Sequence, residues 1–299
     1  MSAVTLPTGV RAMAARGPDW AAWVDRLPRL ALEVLEEWRL HVDGPPAHGY
    51  CSLVLPVRAE TEEAVLKLGF PDDESAHEHL ALQHWHGDGA VRLLRADPRR
   101  RALLLERAGP DDLTTVDDLE ACEVVASSYA RLHRPPLPQL RSLSALCRRW
   151  EERLRAVPRG APVPHRMVEQ AVSLAATFAS DPDTDGRLLH GDLHQGQVLS
   201  ARREPWLVID PKPLNGDPHF ELAPVLWNRW DEAVASHDVR GTVRRRFHTL
   251  VDTAWLDEDR ARDWTVLRVV LNAVHELELP EPDREFLTTN IAVAKAVQG

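Results

Sequence analysis

Apolar positions change their period along this chain, and the change divides it in two. From Trp20 to Leu40 they recur at helical spacing, and Pro28 interrupts the run, so the pattern predicts a helix broken at that proline. Asp43 to Tyr50 is rich in turn-forming residues. Cys51 to Arg58 and Ala64 to Leu68 read as strands joined by the polar turn Ala59 to Glu63, a hairpin. A helix over Glu74 to Trp85 and strands over Ala90 to Arg95 and Ala102 to Glu106 complete the order strand, strand, helix, strand, strand.

After Ala108-Gly109-Pro110 the pattern turns helical. Helices are expected over Val116 to His133, Leu140 to Val157 and His165 to Phe178. Leu188 to Ala201 and Pro205 to Ile209 predict short strands around a tight loop. Four further helices are expected over Glu221 to Val234, Val239 to Trp255, Asp259 to His275 and Glu281 to Val297. The layout is α+β and bilobal. A small antiparallel-sheet N-lobe spans residues 1–107 and a larger helical C-lobe spans 108–299, with a cleft between them as the natural place for a ligand.

Composition narrows the function classes. The 299 residues, 44% hydrophobic and 27% charged, are those of an ordinary globular protein. No stretch reaches the ~18 consecutive apolar residues of a membrane helix. Met1 to Arg16 lacks the apolar core of a signal peptide, so a cytoplasmic location with no membrane partner is expected. A net charge of −10 argues against a nucleic-acid partner and would favour cationic substrates. Cys51, Cys122 and Cys147 are too scattered for a disulfide framework or a zinc site. The only lysines are Lys67, Lys212 and Lys295, which draws attention to each.

Candidate chemistry concentrates in L-L-H-G-D-L-H-Q-G-Q-V-L (Leu188 to Leu199) and W-L-V-I-D-P (Trp206 to Pro211), where Asp192 and Asp210 flank the expected hairpin. Phosphoryl transfer needs such a pair: one carboxylate orients and deprotonates the attacking hydroxyl, and another holds the metal that neutralises the phosphates. Gln197 follows Asp192 at the spacing of the amide that serves the second metal in kinase catalytic loops. Lys67, inside the apolar strand A-V-L-K-L, must be paired or solvated. Glu78, one strand-to-helix step later, is the expected partner, with Glu74 as the alternative.

These stretches, with W-H-G-D-G-A-V-R-L-L, A-L-L-L-E-R, A-R-L-H-R-P and G-D-P-H-F-E-L-A in order between about residues 50 and 225, resemble the aminoglycoside phosphotransferases. The likeness is in particular to the streptomycin 6-kinase and hydroxyurea-resistance kinase branch. It implies a protein-kinase-like fold and transfer of the γ-phosphoryl group of a nucleotide to a small-molecule hydroxyl, the acceptor being an aminoglycoside-like antibiotic or amino-sugar. Mg²⁺ and ATP are implied as cofactors, with GTP left open. The resemblance assigns Asp192 as base, Asp210 and Gln197 to the metal, and Lys67 with Glu78 to the phosphates. Gly49 and Ser52 fall in the phosphate-covering turn. The backbone from Glu106 to Ala108 would meet the base of the nucleotide, and His190 and Glu221 would support the catalytic loop.

Three departures stand out. Gln197 replaces the usual Asn, although G-Q-V-L is similar to the string in maltokinase-like sugar kinases. Glu221 replaces an Asp. The turn His48 to Ser52 carries one glycine and an aromatic, Tyr50, that would cap or occlude the nucleotide.

Trp227, Asp231, His275 and Glu276 are candidate acceptor contacts, because aromatic and acidic groups suit a cationic ligand; each also reads as core or surface. His194 reads as a hydrogen-bonding residue, since Mg²⁺ prefers oxygen. His133 reads as a packed or capping histidine, Asp217-Pro218 as an N-cap with proline at the first helical position, and Lys212 as solvent-facing. A metabolic sugar or amino-alcohol kinase and a nucleotide-binding pseudokinase are the alternative functions. Monomer and homodimer are both compatible with the sequence.

Overall fold

The computed structural model describes residues 4–60, 62–279 and 281–299. Two units form. The first comprises the chain up to Gly109 together with Ala201–Leu207; the second comprises Pro110–Ser200 and Val208–Gly299.

In the first unit an antiparallel sheet forms from β1 (Leu40–Val42), β2 (Ala47–His48), β3 (Ser52–Ala59), β4 (Glu62–Gly69), β5 (Leu93–Asp97) and β6 (Ala102–Glu106), of which β1 and β2 fall where no strand is expected. The order is β1-β3-β4-β6-β5, with β2 also on β3. Leu53, Leu55 and Val57 of β3 and Ala64, Leu66 and Leu68 of β4 share a core with Trp23, Val24, Leu27, Ala31 and Val34 of the helix Pro18–Glu37. Alternation then sends Lys67 to the other face, opposite Val54 and Leu103 in the ladder.

The helix Pro18–Glu37 runs unbroken through Pro28, contrary to the interruption expected there. A proline costs a helix one internal bond. Here the buried stripe on either side, from Trp23 to Leu35, holds the helix on the sheet. The helix expected from Glu74 begins only at Glu78, because Asp72 accepts from the Ser75 amide and hydroxyl and keeps that stretch in a turn. The strand expected at Ala90 starts at Leu93.

The segment Ala201–Leu207, assigned by sequence to the second part of the chain, joins the first unit. Arg203 bonds both carboxylate oxygens of Glu106 at 3.0 Å and the Ala90 carbonyl at 3.1 Å.

The second unit is helical. Asp118–Leu132, Leu143–Arg155, His165–Ser180, Val239–Ala254, Glu258–Leu277 and Arg284–Val297 surround a three-stranded sheet in which Leu214–Gly216 lies between Arg141–Ser142 and Arg187–Leu189. The helix expected over Glu221 to Val234 is broken into the 3₁₀ turn Pro218–Leu222 and the short helices Ala223–Trp227 and Trp230–Ala235. Arg229, at the break, has φ 53°. The fully buried Arg246 accounts for the interruption: its guanidinium takes the carbonyls of Asn228 and Arg229 and the Asp118 carboxylate, so those carbonyls are satisfied outside a helix. Among the described residues, no helix is long and apolar enough to cross a membrane.

Candidate active site

In the first unit the Lys67 ammonium lies 2.6 and 2.7 Å from the two carboxylate oxygens of Glu78. The structure thus selects Glu78 over Glu74. Both side chains are buried, so the charges stabilise each other where neither is well solvated. Gly49 and Ser52 close a turn in which the Gly49 amide donates to the Ser52 carbonyl at 3.1 Å, and a side chain at 49 would meet the Ser52 hydroxyl. Ser52 is buried and Tyr50 is exposed. Glu106 ends β6; its amide donates to the Arg92 carbonyl, and Arg203 holds its carboxyl below the usual carboxylate range despite desolvation. Ala108 is half-buried outside regular structure.

In the second unit the turn His190-Gly191-Asp192 follows the strand Arg187–Leu189. Gly191 has φ 86°, and a Cβ there would lie 2.3 Å from the Lys212 carbonyl oxygen, so only glycine fits. The His190 ring donates from Nε2 to the Ile209 carbonyl at 2.8 Å and accepts the Asp192 amide on Nδ1 at 3.3 Å. Burial pushes this imidazole down to about 3, so it is neutral, as one donor and one acceptor nitrogen require. The His190 carbonyl accepts the Lys212 amide at 2.8 Å. These two bonds bracket Asp210, whose φ is 54°, an uncommon conformation for a residue with a side chain. A third bond, from the Ile209 amide to the Gln197 carbonyl at 2.9 Å, sets the register of Gln197.

Gln197 and Asp210 therefore meet, with the amide nitrogen 3.4 Å from one carboxylate oxygen; the other oxygen lies 3.5 Å from the Lys212 ammonium. Lys212 is 13% exposed, so its expected solvent-facing role does not hold. A carboxylate and an amide oxygen are hard donors. Two of them suit Mg²⁺, which keeps several water or phosphate ligands of its own, better than a metal needing a full protein cage. No cluster of three or more His, Cys, Asp or Glu side chains suited to a metal occurs among the described residues. His194 is a cap: its Nδ1 accepts the Gly196 amide at 3.1 Å and starts the turn Gln195–Gln197.

Glu221 reaches the same turn, its carboxylate accepting the Gly191 amide at 2.8 Å. Complete burial pushes its pKa up to about 7, partly offset by that bond and by Arg268. Asp217 caps the 3₁₀ turn that delivers Glu221, with Pro218 following, and also accepts from the Trp264 indole at 2.7 Å. His133 ends its helix stacked on Tyr129, with burial holding it neutral, near 3.

The Asp192 side chain remains 38% exposed. Desolvation raises its pKa, while the charges of Arg268, His194 and Lys212 oppose the rise. A partly accessible carboxylate on a turn fixed by so many bonds can accept a proton from a hydroxyl brought to it. Of the expected acceptor residues, Trp227 lies beside Arg268, its ring centroid 5.4 Å from the guanidinium carbon. Asp231 is exposed at the start of its short helix. His275 is bonded to Arg153 at 2.8 Å and Glu276 to the Asp283 amide at 2.7 Å.

Sequence reasoning missed Arg268. It comes within 4.0 Å of Asp192 and donates to the carbonyls of Gly191 and Phe220. One arginine within an arginine-rich chain carries no local signal; only its packing sets it apart.

Residues 37–279 match the family described as aminoglycoside/hydroxyurea antibiotic resistance kinase. The streptomycin 6-kinase of Streptomyces glaucescens is 44% identical over 283 residues, 92% of this chain and 92% of that protein. The hydroxyurea phosphotransferase of Kitasatospora aureofaciens is 42% identical over 288 residues, 92% of this chain and 81% of that protein. A spectinomycin phosphotransferase solved with ADP and spectinomycin shares the fold, with a TM-score of 0.57 at 13% identity over 90% of this chain and 98% of its own.

Proposed function

Since this chain belongs to the aminoglycoside/hydroxyurea antibiotic resistance kinase family and is a small-molecule phosphotransferase, we propose that it moves the γ-phosphoryl group of Mg-ATP to a hydroxyl of streptomycin or a similar aminoglycoside. Asp192 is the base. The observation that carries this role is its accessible carboxylate on a turn whose backbone is tied by His190 and Glu221.

The carboxylate orients the acceptor hydroxyl and takes its proton as the oxygen attacks phosphorus. Asp210 and Gln197 hold Mg²⁺, which, when bound, neutralises charge on the phosphates. In the present rotamer Gln197 offers its amide nitrogen to Asp210; turning the amide over would present oxygen instead. Lys67, kept in place by Glu78, meets the nucleotide phosphates. The Gly49–Ser52 turn covers them, and the backbone at Glu106 to Ala108 meets the nucleotide base. Trp227 and Asp231 flank the acceptor. His275 and Glu276 are engaged with Arg153 and Asp283 and are given no part in acceptor binding.

The similarity to a hydroxyurea phosphotransferase favours one second reading, a small neutral acceptor at the same base.

An ADP-release assay with Mg-ATP, streptomycin, hydroxyurea and neutral sugars tests the proposal. Turnover with streptomycin that vanishes in Asp192→Asn is expected. Turnover with hydroxyurea alone would select the second reading. Undiminished turnover in Asp192→Asn would remove it from the mechanism.

A further inference from the structure

Arg268 lies within the helix Glu258–Leu277, and its side chain is only 12% exposed. One guanidinium nitrogen donates to the Gly191 carbonyl at 2.5 Å and the other terminal nitrogen to the Phe220 carbonyl at 3.0 Å. Its central carbon sits 4.1 Å from the centroid of the Phe220 ring and 5.4 Å from that of Trp227. Burying a guanidinium is costly unless its donors are used. Here they are spent on carbonyls 29 residues apart in sequence and on two aromatic rings, with the Asp192 carboxylate 4.0 Å away.

Those bonds have a geometric consequence. The peptide between Gly191 and Asp192 has one acceptor, the Gly191 carbonyl, held by Arg268, and one donor, the Asp192 amide, held by His190. The preceding amide, of Gly191, is held by Glu221. The plane of that peptide fixes the direction in which the Asp192 side chain leaves the backbone. Without Arg268 that peptide would keep only the 3.3 Å bond from the Asp192 amide to His190, and beside a glycine with φ 86° its carbonyl, and the carboxylate with it, would be less firmly aimed.

We propose that Arg268 is a positioning residue for phosphoryl transfer: it holds the Gly191–Asp192 peptide in the orientation that aims the base, and its flat face supports Trp227 beside it. The proposal rests on the reading of Asp192 as base. Lysine could not replace it, because a single ammonium lacks the planar fork that reaches two carbonyls while stacking on rings.

The test uses the full chain with Mg-ATP and streptomycin, comparing Arg268→Met, Arg268→Lys, Arg268→Gly and, as reference, Asp192→Asn. Misaiming of the base predicts a fall in kcat of about 100-fold for Arg268→Met, with the KM for Mg-ATP within about threefold of the parent. Arg268→Lys should lose about tenfold. Guanidinium ion at millimolar concentration should restore part of kcat in Arg268→Gly, an effect that a role confined to fold stability would not produce. A kcat within about threefold of the parent in Arg268→Met, beside an inactive Asp192→Asn, overturns the proposal alone. An active Asp192→Asn overturns the reading of the base, and the proposal with it. Should Arg268→Met fail to melt cooperatively, Arg268→Lys decides: full kcat there overturns the proposal, and the tenfold loss supports it.

Discussion

Lys67 and Glu78 form a two-point ion pair, at 2.6 and 2.7 Å, in which neither side chain is more than 7% exposed. The pair joins β4 to the helix Glu78–Trp85, so it is a structural joint as well as a candidate phosphate site. Removing one member of a buried pair costs about 3–5 kcal/mol, because the remaining charge loses its counter-ion. Lys67→Met should therefore unfold at clearly lower urea concentration, and Lys67→Met/Glu78→Gln should recover much of that loss. Turnover should stay abolished in both. Equal instability of the single and double variants would show that the pair is not the source of the cost.

Gly191→Ala places a methyl group 2.3 Å from a backbone oxygen at φ 86°. Backbone cannot move aside as a side-chain tip can, so a loss of about 1–3 kcal/mol is expected. Activity should fall further than stability, since the same peptide carries Asp192. Thermal melts and single-turnover rates on one preparation separate the two effects.

Glu221 gives a pH prediction with a definite sign. Its pKa is pushed up to about 7 in the folded protein, from an ordinary 4.5. The folded state thus binds the proton more tightly between those values, and stability falls as pH rises through that window. The contribution is present in full below pH 4.5 and absent above about 7, and amounts to about 3 kcal/mol. Glu221→Gln cannot titrate. Subtracting its stability, measured by urea unfolding from pH 5 to 8, from that of the parent should give this downward slope; a flat difference would mean that Glu221 titrates normally.

Asp210 and Gln197 should separate in calorimetry. Asp210→Ala should weaken binding of Mg-ATP at least tenfold, about 1.4 kcal/mol, while ATP in excess chelator binds nearly as before. Gln197→Asn keeps the amide and shortens the reach, so its loss should be smaller. Identical losses with and without Mg²⁺ would count against a metal role for Asp210.

Much of this site was legible because its chemistry is local. H-G-D-L-H-Q-G-Q and V-I-D-P place Asp192, Gln197 and Asp210 at fixed offsets around a hairpin, and a lysine inside A-V-L-K-L announces a buried charge in need of a partner. The apolar runs Cys51 to Arg58 and Ala64 to Leu68 likewise read as a hairpin, because a polar turn separates them. The sequence by itself thus determined the main strands and helices, the candidate reacting groups and the need for an ion pair.

Only the tertiary structure decided who the partners are. Glu78 rather than Glu74 meets Lys67, since the Asp72 turn delays the start of the helix. Arg246 satisfies the carbonyls of Asn228 and Arg229 and breaks a helix that periodicity would continue, while packing carries another helix through Pro28. Arg268 reaches a turn 77 residues earlier in the chain. Local pattern records what a residue offers its near neighbours. A buried guanidinium chooses carbonyls from distant segments, and that choice exists only once the core has brought them together.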